Sequence, residues 1–293
     1  MSVRMVVSDM DGTLLNKRAE ISEGNLAAVR RLEQNGIEFV IASGRDYHGV
    51  YSLLEEYDLN CEAILGNGSQ YVDREGKVLM SCYMDKSVVK AVTEIFGDRG
   101  IPYMIFATDG FYTGQEPSFV RGRFIERSCK RFGRSREDFD QGGRYKYMPC
   151  NQLQKIEDFD VFLKQDMEII KVEAFAMKTE EIRGAREILK EIPGISYLSS
   201  FDDNVEVTDR GAQKGYILEK VIGLKGLSRE QVMVIGDGMN DLTLFECFPV
   251  SYAPANAQDR IRELAMEVVA DCEEDGFAQA VDRMLEGGET VRS

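Results

Sequence analysis

Two aspartates, Asp9 and Asp11, lie two residues apart directly after a short apolar run in the stretch MVVSDMDGTLLN, residues 5–16. A surface turn would tolerate this pair, because Asp and Gly are common turn residues. A calcium loop of the EF-hand type starting at Asp9 would need glycine at its sixth position, where this chain has Leu14. A surface turn and a magnesium site therefore stay open as interpretations of this stretch alone.

A second acidic pair, Asp237 and Asp241, follows another apolar run in VMVIGDGMNDL. If both runs are strands of one parallel sheet, their carboxyl ends share an edge, which is where binding sites of such sheets form. Four carboxylates at one edge repel one another unless protons or a divalent cation compensate their charge. A few hard oxygen ligands with room for water suit magnesium better than zinc or a closed calcium cage. The two pairs together favour a magnesium site.

Two further segments have the composition of an anion site. In FVIASGR, Ser43, Gly44 and Arg45 follow a third apolar run and precede a predicted helix, so a hydroxyl and unpaired N–H groups meet there. In TDRGAQKG, Lys214 begins a predicted helix, where its ammonium could pair with an aspartate or a phosphoryl group. For Lys214 alone, a solvated lysine is the alternative interpretation.

The elements that position these residues alternate between strand and helix at both ends of the chain. MVVS, IEFVIAS and the start of AILGNGSQYVDREGKVLMS are predicted strands, and SEGNLAAVRRLEQNG is a predicted helix that begins after Ser22 and stops at Gly36. Near the other end, KGYILEKVIGL and NDLTLFECF are predicted helices on either side of the strand in VMVIGDG, and the alternation continues to a final helix in GFAQAVDRMLEGG. This pattern is typical of a parallel sheet with right-handed crossovers.

The middle of the chain has a different pattern. Between about residues 84 and 200 the runs are longer and two-faced, with strands in IPYMIFA, GFYTG and IIKVEAFAM and helices in KSVVKAVTEIFGDRG and TEEIRGAREILKEI. Such runs are typical of an α+β domain with a half-exposed antiparallel sheet. The sequence thus predicts an α/β protein with a Rossmann-like parallel-sheet core, residues 1–83 and 201–293, and an inserted α+β domain, residues 84–200.

Four segments, taken in order, resemble the motifs of the haloacid dehalogenase superfamily of phosphohydrolases. DMDGT is similar to the first motif, ASGR to the serine-bearing second, Lys214 to the third and GDGMND to the fourth. NGS at 67–69 resembles the family's usual N-G-A. The insertion between the second and third motifs resembles a type IIB cap domain, and the nearest relatives by this resemblance are Cof-type sugar-phosphate phosphatases.

The resemblance implies a role for each motif residue. Asp9 would be the nucleophile that forms an aspartyl-phosphate, and Asp11 the general acid and then base. Mg²⁺ would be held by Asp9, Asp237, the backbone carbonyl of Asp11 and, directly or by orienting the metal shell, Asp241. The implied phosphate- or substrate-binding residues are Gly12, Ser43, Gly44, Arg45, Lys214 and Asn240. The segment VSYAPANA differs from the family's M-G-N-A, which leaves a contribution of Asn256 open.

Composition limits the possible partners. The chain has 293 residues with 51 acidic and 36 basic side chains, a formal net charge of −15. Such a surface repels phosphate backbones and anionic lipids, so we expect no nucleic-acid or membrane partner. Six scattered cysteines without a C-x-x-C pair, no signal-peptide pattern and no long apolar run indicate a cytoplasmic protein. The oligomeric state is open.

One segment stands apart from this acidic average. The basic run 121–136, RGRFIERSCKRFGRSR, predicts a solvated helix face, with contact to an anionic substrate or partner as the alternative. The predicted function is a magnesium-dependent phosphatase of small phosphorylated metabolites. A phosphomutase of the same superfamily and a non-enzymatic phospho-acceptor module are the alternatives.

Overall fold

A computed structural model describes residues 2–133, 135–139, 148–199 and 202–290, which contain both strands and helices. The strands within these ranges are β1 (Met5–Ser8), β2 (Glu38–Ala42), β3 (Glu62–Leu65), β4 (Gln70–Val72), β5 (Val78–Ser81), β6 (Tyr103–Ala107), β7 (Gly110–Thr113), β8 (Leu153–Lys155), β9 (Ile169–Phe175), β10 (Ile195–Leu198), β11 (Asn204–Asp209), β12 (Val232–Ile235), β13 (Val250–Pro254) and β14 (Glu267–Val269). The helices are α1 (Glu23–Gln34), α2 (Tyr47–Glu56), α3 (Lys86–Gly97), α4 (Pro117–Phe132), α5 (Phe159–Phe162), α6 (Thr179–Leu189), α7 (Lys214–Lys225), α8 (Leu242–Cys247), α9 (Asp259–Leu264) and α10 (Gly276–Thr290).

The chain divides into two units, which are described separately. The core unit consists of residues 1–81 and 213–293, and the inserted unit of residues 82–212. The sequence placed the second boundary near 200, whereas the inserted unit continues to 212 because β11 pairs antiparallel with β9 in its sheet. In the described part of the chain, no helix has the length and apolar character needed to cross a membrane.

The core unit is built on an eight-stranded sheet with the order β14-β13-β12-β1-β2-β3-β4-β5. The strands from β14 to β3 are parallel, and β4 and β5 form an antiparallel extension. Ser8 at the end of β1 lies opposite Ile235 of β12 and Ile41 of β2. The loops that follow these three neighbouring strands therefore leave the sheet at the same edge.

Both faces of the core-unit sheet are covered, which explains why its central strands are continuous apolar runs. Val6 of β1 packs in a cluster with residues of α1, α2 and α10, while Met5 and Val7 on the opposite face pack with residues of α7, α8 and α9. Helix α1 begins as predicted, because the Ser22 Oγ accepts a hydrogen bond from the Asn25 N–H at 3.1 Å.

The inserted unit has a six-stranded sheet with the order β10-β11-β9-β6-β7-β8, antiparallel except for the β7–β8 pair. Helices α3 and α6 pack on one face of this sheet through its larger apolar cluster. The expectation of a half-exposed sheet is wrong for the strands at its centre. On the opposite face Phe124 of α4 packs on Phe175, with ring centroids 5.6 Å apart, and Lys171 and Glu206 are buried there as an ion pair.

The basic run 121–136 forms much of α4, and its arginines are not a simple solvated face. Arg127 is 5% exposed and donates two hydrogen bonds to the Asp203 carboxylate, at 2.7 and 3.0 Å. Arg121 donates to the Asn151 side chain at 2.8 Å. Arg134 lies outside the described residues. Tertiary partners within the inserted unit therefore account for part of this positive charge.

Candidate active site

A buried lysine joins the loops after β1 and β12. Asp9 follows β1 directly and is 5% exposed, and Lys214 is the first residue of α7 and is fully buried. The Lys214 ammonium donates to Asp9 Oδ1 at 2.5 Å and to Asp241 Oδ1 at 2.6 Å. A solvated Lys214 is therefore excluded. The two carboxylates raise the pKa of Lys214 although burial alone would lower it, so this side chain is a fixed positive charge.

Asp241 organises the loop after β12. While its Oδ1 accepts from Lys214, its Oδ2 accepts hydrogen bonds from the Asp237 and Gly238 N–H groups, both at 3.0 Å. Its side chain is fully buried. Both carboxylate oxygens of Asp241 thus have hydrogen-bond donors, which suits a residue that holds its neighbours in place.

The loop after β1 approaches Asp237 so closely that glycine is required. Gly12 has φ +81°, and a Cβ at this position would lie 2.5 Å from Asp237 Oδ2. The Thr13 hydroxyl donates to Asp237 Oδ1 at 3.3 Å. The Asn256 amide donates to the Gly12 carbonyl at 2.8 Å and accepts from the Cys272 N–H at the same distance. Asn256 therefore fastens the loop that carries Gly12.

Three of the four predicted carboxylates form a cluster that could bind a metal ion. One oxygen from each of Asp9, Asp237 and Asp241 lies within 4.8 Å of the others. Burial raises the pKa of Asp9 to about 7, with Lys214 opposing this rise and Asp241 adding to it. Burial and repulsion from Asp9 also raise the pKa of Asp237 well above its usual range. A buried set of hard oxygen donors whose negative charge one lysine only partly compensates fits a divalent cation such as Mg²⁺.

Asp11 lies outside this cluster of three. Its side chain is 47% exposed and accepts two hydrogen bonds from the Arg45 guanidinium, from Nη2 to Oδ1 at 2.6 Å and from Nε to Oδ2 at 2.8 Å. The two aspartates of the first stretch thus have different surroundings and different cationic partners. Arg45, predicted as a phosphate ligand, contacts Asp11 in this structure.

The turn after β2 is hydrogen-bonded to the loop that contains Asn67, a residue that was not among the predicted site residues. Ser43 is buried, its Oγ accepts from the Arg45 N–H at 3.2 Å, and its carbonyl accepts from the Asn67 N–H at 3.0 Å. Asn67 is buried with φ +59°, and its side-chain oxygen accepts from the Asn240 amide at 3.2 Å. Gly44 lies between Ser43 and Arg45 in this turn. The signal that could have indicated Asn67 was its place in NGS.

Comparison with known proteins agrees with this geometry. The sequence profile described as haloacid dehalogenase-like hydrolase matches residues 6–281. The chain belongs to the haloacid dehalogenase-like hydrolase family. The family resemblance predicted from the motifs is thereby confirmed, and so is the α/β fold class.

The relatives of this family member are named phosphatases. It is 25% identical to the 5-amino-6-(5-phospho-D-ribitylamino)uracil phosphatase YwtE of Bacillus subtilis, over 97% of this chain and 99% of that protein. It is also 25% identical to the HMP-PP phosphatase of Yersinia pestis, over 96% of this chain and 95% of the relative. The chain is accordingly an enzyme of the phosphoric monoester hydrolase class.

Solved structures show the same fold. A haloacid dehalogenase-like hydrolase from B. subtilis has a TM-score of 0.82 at 22% identity, covering 96% of this chain and 99% of that one. The subclass IIB sugar phosphatase BT4131 has a TM-score of 0.76 at 21% identity, covering 96% and 98%. The chain therefore shares the fold of these two solved structures.

Proposed function

We propose that this chain is a magnesium-dependent phosphatase that hydrolyses small phosphorylated metabolites through a phosphoryl group carried transiently on Asp9. The observation that carries the proposal is the buried Asp9 carboxylate at the end of β1, with its Oδ1 bonded to Lys214 at 2.5 Å. Fixing one oxygen leaves Oδ2 as the oxygen that attacks phosphorus. The printed names of the curated relatives, a ribitylaminouracil phosphate phosphatase and an HMP-PP phosphatase, support a small phosphorylated metabolite as substrate.

The proposed chemistry has two balanced steps. In the first, Asp9 Oδ2 forms a bond to phosphorus, the bond from phosphorus to the leaving oxygen breaks, and Asp11 gives its proton to that oxygen. In the second, Asp11 takes a proton from water, the water oxygen bonds to phosphorus and the bond from phosphorus to Asp9 breaks. Inorganic phosphate leaves, Asp9 is again a carboxylate and Asp11 is again protonated.

The other site residues would bind and orient. Asp9 and Asp237, with the backbone carbonyl of Asp11, would hold Mg²⁺, and Asp241 would keep Lys214 and the loop after β12 in place. Bound Mg²⁺ supplies positive charge that stabilises the transferring phosphoryl group. Lys214 adds a fixed positive charge beside Asp9. Ser43 and Gly44 of the turn after β2 would contact phosphoryl oxygens, with Gly12 and Asn240 lining the same site.

Release of inorganic phosphate tests this proposal. The wild-type protein should release phosphate from p-nitrophenyl phosphate in the presence of Mg²⁺, with water as the acceptor as in a phosphatase. Asp9→Asn should abolish this release, because an amide is a poor nucleophile. Asp282→Asn, which changes an exposed aspartate of α10, is the matched control and should keep wild-type activity. Undiminished activity of Asp9→Asn would contradict the proposal.

A further inference from the structure

The bond between Arg45 and Asp11 has the geometry of a dedicated pair. Two neighbouring N–H groups of the guanidinium meet the two oxygens of one carboxylate, at 2.6 and 2.8 Å. Such a bidentate contact fixes direction as well as distance, and a lysine ammonium cannot reproduce it. The Arg45 side chain is 27% exposed and the Asp11 side chain 47%, so the pair borders solvent on the side of Asp11.

Arg45 itself is anchored on three sides. Its Nη1 donates to the Gly49 carbonyl in the first turn of α2 at 3.0 Å. Its backbone N–H donates to the Ser43 Oγ at 3.2 Å, and its carbonyl accepts from the Gly66 N–H at 3.0 Å. The guanidinium is thereby attached to α2, and the backbone of Arg45 is bonded to Ser43 and Gly66. Asp11, on the loop after β1, is thus bonded to an arginine that has contacts of its own with other parts of the core unit.

We propose that Arg45 is a positioning residue for Asp11 and is not a phosphate ligand. This inference rests on the proposed function, in which Asp11 moves the protons. A carboxyl oxygen can accept a hydrogen bond and also exchange a proton. Asp11 can therefore pass a proton to the leaving oxygen or take one from water while Arg45 keeps the carboxyl group aimed. Without Arg45 the half-exposed Asp11 side chain would lose the contact that holds both of its oxygens, and its productive orientation would be populated less.

The test compares two substrates that differ in how much they need a proton. Phenolate is a stronger base than p-nitrophenolate, so phenyl phosphate depends more on general-acid help than p-nitrophenyl phosphate does. Arg45→Met should lower kcat on phenyl phosphate about 10–10²-fold, with a much smaller loss on p-nitrophenyl phosphate and little change in KM. Arg45→Lys, which can donate one hydrogen bond but cannot form the fork, should show a smaller loss with the same substrate pattern.

A double-mutant comparison separates positioning from phosphate binding. In the Asp11→Asn background, Arg45→Met should cause almost no further loss on phenyl phosphate, because the group that Arg45 positions is already gone. A phosphate ligand would behave differently. Its removal would raise KM, weaken inhibition by inorganic phosphate and lower activity equally on both substrates, with or without Asp11. The pattern expected of a phosphate ligand would overturn the inference. Unchanged activity of Arg45→Met, or a gain in its activity, would also overturn it.

Two controls keep the outcome interpretable. Arg30→Met removes an exposed arginine of α1 and should leave both activities at the wild-type level. Thermal unfolding checks that each variant is folded. If Arg45→Met is not folded, Arg45→Lys is compared with wild type instead. Failure of the proposed function would appear as a wild type without phosphate release. Failure of the inference would appear as an active wild type whose variants lose both activities equally.

Discussion

Two aspartates of one short stretch have opposite surroundings. Asp9 is buried and bonded to Lys214, whereas Asp11 is half-exposed and bonded to Arg45. Environments that differ in this way allow chemically identical side chains to take different roles, one as nucleophile and one as acid and base. At this scale the residue types and their spacing were readable from sequence, but the partner of each carboxylate was not, because Arg45 and Lys214 approach from elements distant in the chain.

At the residue scale, Asp203 gives a prediction about pH. Burial alone would raise the pKa of its carboxyl, but hydrogen bonds from Arg127 and the charges of Arg127 and Arg131 hold the pKa below its usual range. A carboxyl with a lowered pKa in the folded state stabilises the protein above its unfolded-state pKa of about 3.9, and this contribution is lost as pH falls through the folded-state pKa. Asp203→Asn should therefore be less stable than wild type at pH 5–7, roughly the range in which both states are ionised, and the difference should shrink below about pH 4.

Urea unfolding of wild type and Asp203→Asn across this pH range is the measurement. Comparing the two proteins cancels the titration of all other carboxyl groups. The ordinary pKa of an aspartate lies roughly between pH 3 and pH 6. A stability difference that is the same at these two pH values would show that the Arg127 contact does not depend on the charge of Asp203.

At the element scale, the central strands of the inserted sheet carry a buried charge network. Lys171 of β9 is 3% exposed, donates to Glu206 of β11 at 2.6 Å and to Glu173 at 3.2 Å, and lies 4.4 Å from the centre of the Phe106 ring. Lys171→Met should lower the free energy of unfolding by about 3–5 kcal/mol, because Glu206 is left buried without its counter-charge.

Matched variants test this interpretation of the network. Lys190→Met removes an exposed lysine that pairs with Glu187 on the surface of the same unit, and it should cost less than about 1 kcal/mol. The double variant Lys171→Met with Glu206→Leu should recover part of the stability, since the buried pair is removed together while the less buried Glu173 keeps its charge. If urea unfolding shows equal small losses in the free energy of unfolding for Lys171→Met and Lys190→Met, this interpretation of the buried network is contradicted.

The same elements show how far the sequence could predict the structure. Strands β1, β2 and β12 were identifiable because burial on both faces requires continuous apolar runs, and their parallel order placed Asp9, Ser43 and Asp237 at one edge. The assignment of β11 to the inserted sheet was not identifiable, because its pairing with β9 is a long-range contact. The burial of Arg127 in a basic run was equally hidden, since it depends on Asp203 and Phe175 in tertiary structure.

At the scale of the whole molecule, the carboxylate cluster predicts stabilisation by magnesium. The three clustered aspartates repel one another in the absence of an ion, so Mg²⁺ that binds the folded state should raise the melting temperature as its concentration increases. EDTA should remove this shift and the phosphatase activity together. Asp237→Asn should reduce the shift, whereas Asp282→Asn should keep it. A melting temperature independent of Mg²⁺ would contradict a metal site in this cluster.

The variant Asp11→Asn should reveal whether the phosphoryl group passes through Asp9. Asparagine keeps the backbone carbonyl but cannot transfer protons, a loss worth about 10²–10⁴-fold. Nitrophenolate needs little help to leave, so Asp9 should still be phosphorylated by p-nitrophenyl phosphate while hydrolysis lags. Rapid mixing should show a burst of nitrophenol approaching one equivalent per active site, with the phosphoryl group recovered on Asp9 in quenched samples. Steady turnover without a burst, or a phosphoryl group on another residue, would contradict the account.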